Sequence, residues 1–338
     1  MFRLFECCAL SFFERFVLSF SLKIERFVSD SAEIWICGLY MEEVIKLDSI
    51  ERYNKLYGQE TLHPLVTVVD LSDVSTFPTH AIMNFGIYAL FLKQTHCGDL
   101  RYGKQTYDYQ EGTVTSFAPG QIVEVNMEPG MKPLCQGLLF HPDLIKGTSL
   151  GREIKHYSFF SYASNEALHL SDEEKGIFRD CLEKIRMELI RPADKHSKRL
   201  ISRNIELLLD YCMRFYERQF VTRTKVNKDI LVQFEELLDK YFQSDFPQMQ
   251  GLPTVKYFAD SVHLSPNYFG DLVKKETGKT AQEYILEKLI DVAKEEILGT
   301  NKSVSEIAYE LGFQYPQHFT RIFKKTVGHT PTEYRVIR

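Results

Sequence analysis

The sequence predicts an α+β protein of more than one domain: a β-rich part first, a pair of helices next, and an all-α part last. Three observations predict it. Short apolar or alternating runs, punctuated by Gly and Pro, fill residues 65–140. Apolar residues at helical spacing then recur between 171 and 218. Beyond 250, one stretch is written twice: "TVKYFADSVHLSPNYFGDLVKKETGKTAQEYI" and "SVSEIAYELGFQYPQHFTRIFKKTVGHTPTEYR". At 338 residues the chain has room for two or three such units.

The charge balance is quiet overall and uneven locally. Hydrophobic residues make up 44% and charged residues 26% of the chain, the composition of a soluble globular protein. The formal net charge of −5 does not point to a polyanionic partner. From Leu252 to Arg338, however, 12 Lys and Arg face 11 Asp and Glu, a net of +1, while the remaining 251 residues carry −6. From Tyr315 onward, Arg321, Lys324, Lys325, Arg335 and Arg338 face only Glu333. Salt screens charge over a short distance, so this local excess matters more to a phosphate than the total does.

Seven cysteines (Cys7, Cys8, Cys37, Cys97, Cys135, Cys181 and Cys212) are odd in number and scattered, with no C-x-x-C pair. They indicate neither a zinc site nor a disulfide framework, and reduced, buried thiols in a cytoplasm fit them. Residues 1–40 form an atypical extension. "MFRLFECCALSFFERFVLSFSLKIERF" is rich in Phe, but charges such as Arg3, Glu6, Glu14 and Arg15 break every apolar run, and none approaches the ~20 residues of a membrane span. A secretory signal's apolar centre and cleavage site are missing too. The character changes at Met41, where "MEEVIKLDSIERYNKLYG" reads as a polar amphipathic helix. One expectation is that Met41 is the native start and that 1–40 are not part of the native protein.

The β-rich part, 41–170, holds the runs "LVTVVDL", "NFGIYALFLKQT", "GTVTSFAPGQIVEV" and "CQGLLF". Many short strands with turn signals between them predict a small barrel or jelly roll. Ser171 then starts a helix, with Glu174 three residues on as a capping box requires. Phe178, Leu182, Ile185 and Leu189 form its stripe, and Pro192 ends it. A second helix from Lys195 to Arg218 carries Ile201, Ile205, Leu208, Cys212 and Phe215 in a heptad-like seam, widened by Leu209 and Tyr216. The hairpin, 171–219, is therefore both a packing unit and a candidate dimerisation element. "ERQFVTRTKVNKD" is polar, and 220–229 reads as the linker to a helical domain at 230–338.

Within that domain the two copies align residue by residue. Val255 matches Val304 and Ala259 matches Ala308. After one extra residue in the second copy, Pro266 matches Pro316, Phe269 matches Phe319, and Gly278 matches Gly328. Each copy is a short helix, a tight turn and a second helix. In the second copy, capped by Ser303, Ile307, Ala308 and Leu311 face inward, Gly312 turns the chain, Phe313 plugs the turn, and Phe319, Ile322 and Phe323 form the next buried stripe. Phe258, Ala259, Val262, Leu264, Phe269, Leu272 and Val273 repeat this in the first. The units span 254–278 and 303–328, which is helix-turn-helix grammar.

Opposite the buried stripes, the second helices present Asn267, Asp271 and Lys274 in one copy and Gln317, Arg321 and Lys324 in the other. These side chains suit base edges: Arg for guanine, Asn or Gln for adenine, Asp for the cytosine amino group. Lys275, Lys325, Thr280 and Thr330 suit phosphates. The linker helix 280–298 has no Pro or Gly; its 19 residues make a rod of roughly 28 Å. Reading helices held about one DNA turn apart, ~34 Å, enter successive major grooves of a duplex. Ile285, Leu289, Val292, Ala293 and Ile297 are the residues expected to bury the rod against both copies.

Residues 227–338 resemble the AraC/XylS family of bacterial transcriptional regulators, most diagnostically in "IAYELGF" and "HFTRIFKKTVGHTPTEYR". "YGKQTYDYQEGTVTSFAPGQ" and "LLFHPDLI" are similar to that family's N-terminal sensing domain. The resemblance implies a cupin-like β-barrel with a helical hairpin, followed by an all-α double helix-turn-helix domain. It implies a cytoplasmic regulator with double-stranded DNA and RNA polymerase as partners, a small-molecule effector, and a candidate homodimer. Asp271, where the second copy has Arg321, departs from a uniformly basic reader and predicts that the second copy supplies more of the affinity.

Tyr88, Phe91, Tyr102, Tyr107 and Tyr109 are the aromatic candidates for lining an effector pocket. The enzyme alternative is a metal-dependent cupin with an accessory DNA-binding domain, and a further alternative is an architectural DNA binder. His80, His96 and His141 with Glu111 and Glu124 are the only candidate ligands, and no H-x-H pair exists. No G-x-S-x-G, H-E-x-x-H or P-loop pattern appears either. No catalytic residue, metal site or cofactor is therefore expected.

Overall fold

The computed structural model describes residues 44–337, apart from 73, 75–77, 79, 95–98, 103–104, 107–111, 127–133 and 164–165. The expectations for 1–40, His96, Tyr107, Tyr109 and Glu111 lie outside the described residues, as does the side chain of Tyr102.

Strands β1 (Ile45–Leu47), β3 (His80–Phe85), β8 (Gln121–Asn126), β5 (Asp99–Tyr102) and β6 (Gln105–Thr106) make one sheet in the order β1-β3-β8-β5-β6. Strands β10 (Leu168–His169), β7 (Thr113–Phe117), β4 (Tyr88–Lys93), β9 (Cys135–Phe140) and β2 (Val66–Asp70) make the other, in the order β10-β7-β4-β9-β2. All neighbouring strands in the two sheets pair antiparallel except β1 with β3. The β-rich expectation holds as two five-stranded sheets; no closed barrel forms among the described residues. Sheet closure depends on long-range pairing, which local alternation does not encode. The helix expected from Met41 is also corrected: Ile45–Leu47 is strand, and helix α1 (Ile50–Leu56) starts only where the Ser49 side chain accepts from the Arg52 N–H.

Strand β4 is apolar on both faces because it lies in the middle layer. Ala89 and Phe91 point into the core shared with Met83, Phe85 and Val123 of the first sheet. Leu90 and Leu92 point the other way, onto helices α4 (Asp172–Ile190) and α5 (Ser197–Thr222). Gly137 faces Phe91 across the ladder, and a Cβ there would sit 2.5 Å from the Phe91 ring. The heptad-like seam of α5 faces inward: Ile201, Ile205, Leu208, Cys212 and Phe215 are all buried in this core. Their packing partner is this same chain, a case that a heptad pattern does not distinguish from a seam between two chains.

The predicted linker is helical. Helix α5 runs on to Thr222 and α6 (Thr224–Gln243) begins after a break at Arg223. Residues 217–229 contain no Gly or Pro, so nothing there opposes a helix. Asn227 is buried, and its side-chain amide donates to the Phe220 carbonyl.

The remaining helices are α7 (Phe246–Gln250), α8 (Val255–Ser261), α9 (Pro266–Thr277), α10 (Ala281–Gly299), α11 (Val304–Glu310), α12 (Pro316–Val327) and α13 (Pro331–Ile337). The two copies belong to different cores. Phe258, Phe269 and Leu272 of the first join the large core that continues to Phe234, α5 and the second sheet. Phe313, Phe319 and Phe323 of the second form a separate core with Leu289, Ile290, Ala293 and Ile297 of α10. The central helix thus gives Ile285 to one core and its C-terminal half to the other.

The turns of the copies are built alike from different residues. The N–H of Leu264 bonds the Ala259 carbonyl at 2.9 Å, and that of Phe313 bonds the Ala308 carbonyl at 2.9 Å. Gly312 sits at φ 90°, and a Cβ there would meet the Pro247 carbonyl oxygen at 2.7 Å, so this turn admits no side chain. In the first copy His263 holds φ 59° with its side chain exposed. Left-handed backbone is costly for a residue with a Cβ. His263→Gly is therefore expected to stabilise the protein by about 0.5–1 kcal/mol, read as a higher urea midpoint; a lower midpoint would contradict this.

Candidate nucleic-acid interface

Helix α12 begins at Pro316, whose fixed φ suits a first turn, and ends at Gly328 in the left-handed region. Phe319 and Phe323 anchor it, and Gln317, Arg321 and Lys324 stand exposed on the opposite side at i, i+4 and i+7. None of the three has a carboxylate within ion-pair distance among the described residues. An Arg321 guanidinium nitrogen lies 2.6 Å from His318 Nε2, which fixes the direction of the arginine. Lys324 and Lys325 lie in the last turn, where the helix dipole favours cations.

Helix α9 is placed differently. Asn267 and Lys274 are exposed, as is Lys275. Asp271 is half-buried, and its carboxylate accepts a hydrogen bond from the Tyr162 hydroxyl at 2.5 Å. The Tyr162 ring meets Tyr268 edge-on at 5.2 Å, and Tyr268 also packs at 4.9 Å on Phe220. One turn earlier, the Glu166 carboxylate accepts from the Ser265 N–H at 2.6 Å, the Ser265 hydroxyl at 2.5 Å and the Ala163 N–H at 2.6 Å. Glu166 is only 2% exposed, and burial raises its carboxyl above the ordinary carboxylate value against the pull of these bonds. The segment after the last long strand therefore grips α9 at its N-cap and at its middle. Sequence reasoning missed Tyr162 and Glu166, because nothing local marks a contact made a hundred residues away.

Thr280 and Thr330 cap helices. Each hydroxyl accepts from the N–H three residues on, at 3.2 Å from Glu283 and 3.3 Å from Glu333. The Glu283 and Glu333 carboxylates close the boxes by accepting from the threonine N–H groups, and those bonds hold both carboxyls below their usual range. The threonine N–H and hydroxyl groups are thus engaged within the helix termini.

The two described effector-pocket aromatics do not share a pocket. Tyr88 stacks on Phe140 at 5.0 Å on the helix-facing side of β4, whereas Phe91 lies between the sheets. Residues three apart on a strand point to opposite faces. Of the metal-ligand candidates, His80 pairs with Asn126, and the His141 ring accepts the Asp143 N–H at 3.1 Å as the cap of helix α2 (Pro142–Ile145). Among the described residues no group of three or more His, Cys, Asp or Glu is placed to hold a metal ion. Likewise, no described helix is long and apolar enough to cross a membrane.

Residues 258–336 match the family described as "Helix-turn-helix domain". The uncharacterized HTH-type transcriptional regulator YobQ of Bacillus subtilis is 37% identical over 82 residues, 24% of this chain and 34% of its own length. The bifunctional transcriptional activator/DNA repair enzyme AdaA of Bacillus subtilis is 32% identical over 100 residues, 30% of this chain and 46% of its own length. The uncharacterized HTH-type transcriptional regulator YfiF of Bacillus subtilis is 25% identical over 249 residues, 69% of this chain and 71% of its own length. The match spans well under two thirds of the first of these relatives.

Proposed function

We propose, taking residues 258–336 as a helix-turn-helix domain of the AraC type, that this protein is a sequence-specific DNA-binding transcription regulator. The observation that carries the reading is the outward face of α12, where Gln317, Arg321 and Lys324 are exposed and free of carboxylates among the described residues. A buried stripe of Phe319 and Phe323 holds that face in place, so its donors meet a major groove already oriented. Asn267 and Lys274 of α9 extend the reading to a neighbouring groove, with Lys275 and Lys325 on phosphates. The grip on α9 supports control by the N-terminal part. Asp271 reads a base only after Tyr162 lets go, and an effector that weakens that contact raises DNA affinity by shifting the population toward the released form. We read the chain as a regulator and not an enzyme, as the relatives' descriptions favour.

Selection of bound fragments from random duplex DNA tests the reading. The expected product is a consensus of two blocks separated by about one helical turn, with affinity falling steeply as salt rises. Fragments without a consensus would leave an architectural binder as the better description.

A further inference from the structure

A cavity of about 490 Å³ opens between the turn at 146–148 with the helix α3 (Ser149–Glu153) that follows it and the first turns of α5, far in sequence from the reading helices. Lys146, Arg152, Lys195, Lys198, Arg199 and Arg203 line it, and all are exposed. Two of these charges are matched: Lys146 by Asp143 at 2.5 Å and Arg203 by Glu206 at 3.1 Å. The Lys198 ammonium reaches only the Lys146 carbonyl, at 3.2 Å. Arg152, Lys195, Lys198 and Arg199 have no carboxylate in ion-pair range among the described residues. Of the acids adjacent in sequence to these residues, Glu153 pairs with His156 at 2.6 Å, and Asp194 accepts from the His196 and Ser197 N–H groups at 2.7 and 3.0 Å.

The hydroxyls of the cavity give a second, independent observation. Thr148 donates to the Ile145 carbonyl at 2.6 Å, and Ser149 donates to Glu206 at 2.9 Å. Ser202 also lines the cavity and is 2% exposed, yet its hydroxyl has no hydrogen-bond partner. A buried hydroxyl left unbonded costs free energy, and such groups call for an explanation. Unmatched cations gathered around one concavity also repel each other, modestly where they are exposed. A single multiply charged anion answers both, since guanidinium groups take phosphate oxygens in paired bonds and a serine hydroxyl donates to a third.

We propose that this cavity binds a small phosphate compound carrying two or more negative charges. The concave shape suits a small ligand more than the convex surface of a duplex. The assignment stands apart from the DNA-binding reading, and its test contains no DNA.

Inorganic pyrophosphate is titrated calorimetrically into the full chain at fixed ionic strength, with chloride as the reference anion. Saturable binding is expected, at least about tenfold weaker in the Lys198→Gln/Arg199→Gln double variant, whose side chains are exposed and whose fold is therefore kept. Ser202→Ala is expected to weaken it several-fold, with Tm in plain buffer as the check on folding. No saturable heat, or equal binding by wild type and the double variant, would overturn the proposal. So would a loss caused instead by Lys274→Gln/Lys325→Gln, because the anion would then sit on the reading helices.

Discussion

Arg321→Ala is expected to weaken binding to the selected DNA site by about 1–3 kcal/mol, with a smaller loss on scrambled duplex. The size follows from the geometry. Arg321 lies mid-helix on α12, opposite Phe319 and Phe323, and His318 already orients its guanidinium. A preoriented fork gives up little side-chain freedom when it takes the paired acceptors of a guanine. Removing it costs a base-specific contact, while the phosphate contact proposed for Lys325 survives. Fluorescence anisotropy on the two duplexes at several salt concentrations checks this. Equal losses on both duplexes would reduce Arg321 to a phosphate contact, and no loss on either would remove α12 from the interface.

Tyr162→Phe is expected to act in the opposite direction and tighten DNA binding by about tenfold to a hundredfold. The phenol donates to Asp271 at 2.5 Å, a bond to a charged acceptor, and such bonds contribute about 1.5–3 kcal/mol. The contact exists only while α9 is held. Its loss moves the equilibrium toward the released form by the same free energy and leaves the ring packing on Tyr268 in place. Asp271→Ala is less informative, since it removes the gripped side chain and the candidate reader together. Unchanged or weaker DNA binding by a normally folded Tyr162→Phe protein would show that the contact is no gate. Glu166 adds a direction with pH. Its folded-state pKa is raised, so its favourable contribution to the gripped form is complete below the unfolded value and is lost as pH rises through the folded one.

What could be read from the sequence was what repeats at short range. Ser171 with Glu174, and Ser303 at the head of the second copy, cap helices where their spacing placed them. The stripes through Phe258, Phe269, Phe319 and Phe323 are buried because a helix period of 3.6 leaves one face for the core. Long-range decisions were not legible. The same apolar runs serve an open pair of sheets or a closed barrel, and the same heptads serve an intramolecular or an intermolecular seam. The polar run after Glu217 reads as a linker by composition, yet it contains no residue that stops a helix. Tyr88 and Phe91 were separable by their odd spacing on one strand, a signal that grouping aromatics by type overlooks. The grip of Tyr162 and Glu166 on α9 joins positions with no shared periodicity, and only the folded chain brings them together.

The division of the two cores has a consequence for inheritance. A substitution beneath the second sheet, at Leu138 for instance, perturbs packing that runs without interruption to Phe269, so changes selected there also disturb helix α9. Helix α12, resting on Phe319, Phe323 and the far half of the central rod, is insulated from that drift. Under the proposed function, descendants of this chain that acquire new signals are expected to keep the half-operator assigned to α12 and to diverge in the other.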